Sequence, residues 1–188
     1  MATGPDQKVN NIEQGKFNGI VRMLQKEDVP KLKPILETWI RNMVTHEILS
    51  EEVEKDLAFL EGSLDDSNGR QYLVAQTHEG KLVGVIGLSQ LKEPLRQFAT
   101  TEKPIELINA YVDRDYRAGQ GVGTALLKAL RERAKKQGFT EVLLDSGPRY
   151  RFTGWGFWDK QPGFRRVGVA KNLYGPGNDA LVWQRLLS

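Results

Sequence analysis

The stretch IELINAYV at 105–112, then DRDYRAGQGVG at 113–123 and TALLKALRERAKKQ at 124–137, decides the reading of this chain. Its first part has the β-branched, aromatic and leucine content of a strand. Its last part sets Leu126, Leu127, Leu130 and Ala134 in a stripe opposite Lys128, Arg131, Arg133, Lys135 and Lys136. That pattern predicts an amphipathic helix over 124–137, with Gly138 as its stop. Between the two, Gly119, Gly121 and Gly123 alternate. A helix N-terminus presents unpaired backbone N–H groups and a partial positive charge, and glycines let such a backbone approach phosphate oxygens closely. The unit therefore points to a phosphate-bearing ligand; the plain alternative is a flexible turn. A P-loop is excluded, because Thr124 follows Gly123 with no lysine before it. A dinucleotide fingerprint matches Gly119 and Gly121 but meets Thr124 at its sixth position, and too little chain follows to complete a six-stranded nucleotide sheet.

Working outward from that unit, strands are predicted over 20–24, 72–77, 81–90, 140–144, 164–170 and 181–187. His78-Glu79-Gly80 reads as the hairpin between the second and third. Leu32, Ile35, Leu36, Trp39, Ile40 and Met43 recur at helical spacing behind Glu27-Asp28, with Pro30 in the first turn. A second helix is expected from Ser50, as N-cap, to about Leu60. Residues 91–104 read as an irregular excursion and 148–155 as a helical turn. Residues 1–19 are polar and glycine-rich, an irregular leader, which leaves 20–188 as one domain. The order of strand, two helices, a run of strands, helix, strand and β-rich tail is α/β (α+β) with an antiparallel meander, not a doubly wound sheet.

Composition narrows the chemistry. The chain has 188 residues, 39% of them hydrophobic, enough for one core. Lysine and arginine total 27 against 24 acidic residues, a mildly basic balance that suits an anionic ligand without requiring nucleic acid. Cysteine is absent, and His46 and His78 are the only histidines, which argues against disulfides, a thiolate nucleophile and a histidine-rich metal site. With no long apolar run and no apolar N-terminal segment, a cytoplasmic protein without membrane association is expected.

The stretch from Glu106 to Val112, with YRAGQGVGTALL at 116–127, resembles the acetyl-CoA motif of the GNAT acyltransferases, and the element order from Ile20 to Leu187 is similar to that fold. The resemblance implies a mixed, mostly antiparallel twisted sheet flanked by helices, with acetyl-CoA as acyl donor and no metal. It implies a pyrophosphate held by the loop Arg117, Ala118, Gly119, Gln120, Gly121, Val122, Gly123 and Thr124, and a pantetheine arm pairing with Ala110, Tyr111 and Val112. One departure stands out: the family's usual Arg or Gln position before the last glycine pair holds Ala118, with Arg117 one residue earlier.

Acetyl transfer to an amine needs a base, because a primary ammonium must lose a proton before it attacks. The resemblance places a base at Glu106. On a regular strand Glu106, Ile108, Ala110 and Val112 share one face; the plainer reading of Glu106 is a solvated charge. Asp145 is a second candidate, with turn formation as its plainer role, and Asp113 and Asp115 read as loop formers. For the acid, the family's tyrosine position before Gly156-Phe157 holds Phe152, which cannot donate a proton and is assigned to the cofactor site, so Tyr150 is the candidate acid. Ser146 lies where a pantetheine arm would bond. The aromatic tail, including Trp155, Trp158, Tyr174 and Trp183, reads mostly as packing, in part as an acceptor wall with Trp39 and Met43. The expected function is acetyl transfer from acetyl-CoA to a primary amine of a small molecule or peptide, in a ternary complex; the alternative is a non-catalytic acyl-CoA sensor. Free sheet edges leave room for a homodimer, and no motif for nucleic acid is present.

Overall fold

The structure, a computed structural model, describes residues 17–117 and 119–187; Ala118 and most of the expected leader lie outside the described residues. Seven strands form one open, mixed sheet in the order β1-β2-β3-β4-β5-β7-β6, mostly antiparallel, accompanied by helices. The chain divides into two compact units, the first comprising residues up to Arg41, Glu47–Gly87 and Asn109–Leu130, the second Asn42–His46, Leu88–Ile108 and Arg131 onward.

In the first unit, β1 (Gly19–Met23) runs antiparallel to β2 (Gln71–Thr77), with Gly19 opposite Thr77 and Met23 opposite Leu73. The chain then turns into α1 (Val29–Trp39) through an ion pair. Arg22 donates from Nη1 to Asp28 Oδ2 at 2.6 Å and from Nη2 to Oδ1 at 2.9 Å, and the Gln25 amide donates to Oδ2 at 2.9 Å. This two-pronged geometry locks the strand to the helix start. Leu32, Ile35 and Leu36 form the buried face of α1. The helix stops at Trp39, so Met43 is not on it, and Met43 is half exposed. In α2 (Ser50–Gly62) the N-cap is Leu49, not Ser50; Ser50 is the first helical residue, and Glu51 and Glu52 in the first turn favour the dipole. The hairpin from β2 to β3 (Leu82–Ser89) closes with Gly80 at φ 88°, a conformation glycine adopts without strain. Helix α4 (Val122–Lys136) approaches β3 at Gly84, where a Cβ would stand 2.9 Å from Leu126 Cδ1 and 3.1 Å from the Tyr111 carbonyl oxygen.

The second unit holds α3 (Glu93–Arg96) within the segment expected to be irregular, the first part of β4 (Pro104–Val112), β5 (Glu141–Ser146), α5 (Gly154–Lys160), β6 (Arg165–Ala170) and β7 (Ala180–Leu186). Here β4 and β5 are parallel, with Glu106 opposite Leu143, and β7 lies antiparallel between β5 and β6. Leu91, Leu95, Leu143, Ala170, Ala180 and Val182 form the core, closed by Phe98, whose ring lies on Gly168 beside a register shift in β6. The fully buried carboxylate of Glu141 accepts from the amides and hydroxyls of Thr100 and Thr101 and from Gln184 Nε2. Five neutral donor groups thus satisfy this carboxylate, which ties the approach to β4 onto β5.

Candidate functional site

The glycine loop of the first unit follows β4 as expected. Asp113 caps a short 3-10 turn by accepting from the Asp115 amide at 3.0 Å, and Gln120 Nε2 donates to the Asp115 carbonyl at 2.7 Å. Gly119 and Gly121 take φ values of 90° and 76°, the left-handed region that side chains resist, so both glycines are conformational requirements. A Cβ built on Gly119 would meet nothing within 4 Å, so the backbone there faces open space. Helix α4 begins at Val122, two residues before the expected start, and its ladder opens with Ala125 N–H to the Gly121 carbonyl at 2.9 Å. By helical geometry the amides of Val122, Gly123 and Thr124 precede that ladder. Left-handed glycines leading into such amides are chemically compatible with a diphosphate. Ala118, expected in the same loop, lies outside the described residues.

Beside the loop, Arg117 lies over the Trp39 ring, its guanidinium carbon 5.5 Å from the centroid, and Trp39 Nε1 donates to the Val112 carbonyl at 2.7 Å. One backbone acceptor of the segment assigned to pantetheine is therefore already engaged by an α1 side chain. Asn109 corrects a second expectation. Its φ is 47°, so the pleat is interrupted inside β4 and regular alternation does not place Glu106, Ile108, Ala110 and Val112 on one face. Asparagine tolerates this region, and its side chain is held at both ends, accepting from Tyr72 Oη at 3.0 Å and donating to Asp56 Oδ2 at 2.9 Å. Burial pushes the Tyr72 phenol up to about 12, so it remains a donor to Asn109.

In the second unit, four ionisable side chains from three strand or helix ends and one loop converge. Glu106 is 4% exposed, which overturns its reading as a solvated charge. Its Oε1 lies 2.9 Å from Lys92 Nζ, and its Oε2 accepts from the Lys92 backbone amide at 3.0 Å. Lys92 Nζ also lies 2.5 Å from Asp145 Oδ2, and Asp145 Oδ1 accepts from Tyr174 Oη at 2.5 Å. Burial raises the Glu106 carboxyl above its ordinary value, and the opposing pull of Lys92 does not offset it. Burial also acts to lower the Lys92 ammonium, but the summed attraction of Asp145 and Glu106 wins and it is raised. The Tyr174 phenol is raised well beyond its ordinary value by desolvation, then by the charge and hydrogen bond of Asp145.

Other candidates stand apart from this chain of contacts. Phe152 is 84% exposed in the turn before α5, with Arg151 4.3 Å above its ring, so it does not line a closed pocket. Tyr150 ends the 3-10 turn at 148–150 and is close enough to Tyr174 to influence its titration. Ser146 is buried, and its carbonyl accepts from Trp155 Nε1 at 3.2 Å. Trp158 and Trp183 are interior, with Trp183 Nε1 donating to Asp159 at 3.0 Å, so the aromatic tail is packing at these positions. Lys92 and Tyr174 were not singled out from sequence as reacting groups; the only signals were a lysine beside an Glu-Pro step and a tyrosine in a glycine-rich turn.

A family model described as "Acetyltransferase (GNAT) family" matches residues 34–164. The chain belongs to the GNAT acetyltransferase family. It is similar to N-acetyltransferase 8 of Homo sapiens, 32% identical over 92 residues, which is 49% of this chain and 38% of that protein. The chain thus spans well under two thirds of that relative's length. Among solved structures it is similar to the ribosomal-protein-alanine N-acetyltransferase of Brucella melitensis, at 25% identity and TM-score 0.66, covering 89% of this chain and 99% of that one. It also resembles in fold an aminoglycoside 6'-N-acetyltransferase complexed with coenzyme A, at 19% identity and TM-score 0.62, covering 90% and 97%.

Proposed function

We propose that this protein transfers an acetyl group from acetyl-CoA to a primary amine, directly, in a complex holding both substrates. The observation that carries the reading is the glycine loop: left-handed Gly119 and Gly121 lead into the first amides of α4 within a GNAT domain. Arg117, Gly119, Gln120, Gly121, Val122, Gly123 and Thr124 would hold the diphosphate by backbone amides and the helix dipole. Ala110 and Tyr111 would pair with the pantetheine arm, with Val112 contributing less because its carbonyl is bonded to Trp39. When bound, acetyl-CoA supplies an acyl carbon activated as a thioester.

The chain's own part is proton management. Glu106 is the proposed base, buried and raised, so that it takes up a proton nearer neutrality than an exposed carboxylate does. Tyr150 is the proposed acid. Phe152 in place of the family tyrosine favours the second reading, a non-catalytic acyl-CoA sensor. Calorimetry with acetyl-CoA, then thiol release with a panel of primary amines, separates the two. Binding with turnover supports transfer; binding without turnover supports the sensor; no heat at millimolar acetyl-CoA contradicts both. In an active enzyme, Glu106→Gln should cost about 10²–10⁴-fold in rate, most at low pH, while acetyl-CoA affinity stays unchanged.

A further inference from the structure

We infer that Tyr174 and Asp145 form the entry by which the acceptor's ammonium loses its proton, an inference that rests on the acetyl-transfer reading above. The geometry gives Tyr174 a fixed orientation. Its one hydroxyl proton is donated to Asp145 Oδ1 at 2.5 Å, so the phenol oxygen meets an incoming group as an acceptor. The residue is 54% exposed, whereas the Asp145 and Glu106 side chains are 3% and 5% exposed. The Tyr174 ring is thus the solvent-facing member of the cluster, and its hydroxyl, itself desolvated, turns inward to Asp145.

The loop that carries Tyr174 is built to hold it still. The Tyr174 amide donates to the Asn178 carbonyl at 3.1 Å, Asn178 donates to Gly175 at 2.9 Å, and Gly177 donates to the Asn172 side chain at 2.7 Å. Asn172, Gly175 and Gly177 all take positive φ, which folds the segment back on itself. At the other end the Tyr174 ring lies on Gly147, where a Cβ would stand 2.8 Å from Cδ2. A bare glycine after β5 thus admits the ring to the end of the strand that carries Asp145.

The charge count sets the direction of proton flow. Two buried carboxylates, Glu106 and Asp145, share the single ammonium of Lys92, which leaves one excess negative charge in a desolvated cluster. Tyr150 on the neighbouring 3-10 turn is the other titratable group acting on Tyr174. Uptake of one proton leaves the cluster neutral. The acceptor R–NH3+ passes a proton to Tyr174 Oη as the Tyr174 proton moves to Asp145, and the carboxylate pair retains it. The neutral amine then attacks the thioester carbonyl: the C–N bond forms, the C–S bond breaks with its electron pair on sulfur, and a second proton from nitrogen ends on the thiolate. The cluster later returns its proton to water.

The test uses the full chain and Tyr174→Phe, which keeps the ring on Gly147 and removes only the hydroxyl, with Asp145→Asn as second variant. Acetyl-CoA affinity by calorimetry should stay within about twofold. Thiol release is then measured with ethylamine, almost wholly protonated at pH 7, and with trifluoroethylamine, mostly neutral there. Both variants should lose about 100-fold in kcat/KM with ethylamine and less than about threefold with trifluoroethylamine. Proton NMR should also show a hydroxyl resonance downfield of the amides in the wild type that is lost in each variant. Equal losses for the two amines, no loss, or no such resonance in the wild type overturns the inference and leaves the acetyl-transfer reading standing. A wild type that binds acetyl-CoA but acetylates no member of the primary-amine panel overturns that reading, and this inference with it.

Discussion

Lys92 shows how one side chain sets the state of its neighbours. It is 37% exposed at Nζ's side chain, yet it is the only cation within bonding distance of Glu106 and Asp145 among the contacts of the described residues. Removing it in Lys92→Met leaves two buried carboxylates facing one another without a counter-charge. Breaking a buried pair in this way costs about 3–5 kcal/mol, and the partial exposure of Lys92 lowers the expectation to about 2 kcal/mol. The penalty should be full at pH 8 and smaller at pH 5, because a carboxyl already raised by burial takes up a proton as pH falls. Urea denaturation of wild type and variant at the two pH values checks this; equal penalties would contradict it. On the alkaline side the sign is opposite: the raised Lys92 stabilises the wild type below its ordinary value of 10.5 and loses that contribution as pH rises through its raised one.

At the scale of elements, two junctions carry the account. The first is the turn from β1 into α1, held by Arg22 and Asp28. Burial works against the Asp28 carboxylate, but the Arg22 hydrogen bonds, the Gln25 amide and the positive charge nearby together hold it below its ordinary value of 3.8. Its stabilisation is therefore present above that value and lost as pH falls through the lowered one. Asp28→Asn should destabilise by about 2–3 kcal/mol at pH 7, with the gap to wild type narrowing in thermal melts as pH falls below 3.8. The second junction is the glycine loop. Gly119→Ala forces a left-handed alanine at a cost of about 1–2 kcal/mol in the bound conformation. Acetyl-CoA affinity by calorimetry should fall about tenfold, and the melting temperature by no more than that strain implies.

For the molecule as a whole, periodicity and turn chemistry carried most of the fold. The strands, the amphipathic stripe of α4 and its Gly138 stop were all legible, as was the glycine loop, because each is written in neighbouring residues. What escaped was long-range or conformational. The break in β4 comes from the left-handed Asn109, whose partners Tyr72 and Asp56 lie on other elements. Lys92 sat in a segment that looked irregular, and its ties to Glu106 and Asp145 appear only when α3, β4 and β5 are in place. Tyr174 looked like a turn residue because its hydroxyl partner lies 29 positions earlier in the chain. Spacing rules register contacts within a turn or along one strand, so they located the glycine loop and not the charge cluster.

The backbone amides around Gly119–Thr124 are proposed to hold the diphosphate of acetyl-CoA. The most direct measurement is a backbone amide NMR titration of the full chain with acetyl-CoA. The largest shifts should fall on Gly119, Gly121, Val122, Gly123 and Thr124, saturating together with the calorimetric isotherm. Saturable binding that leaves these amides unmoved, or no shift at millimolar acetyl-CoA, would contradict it.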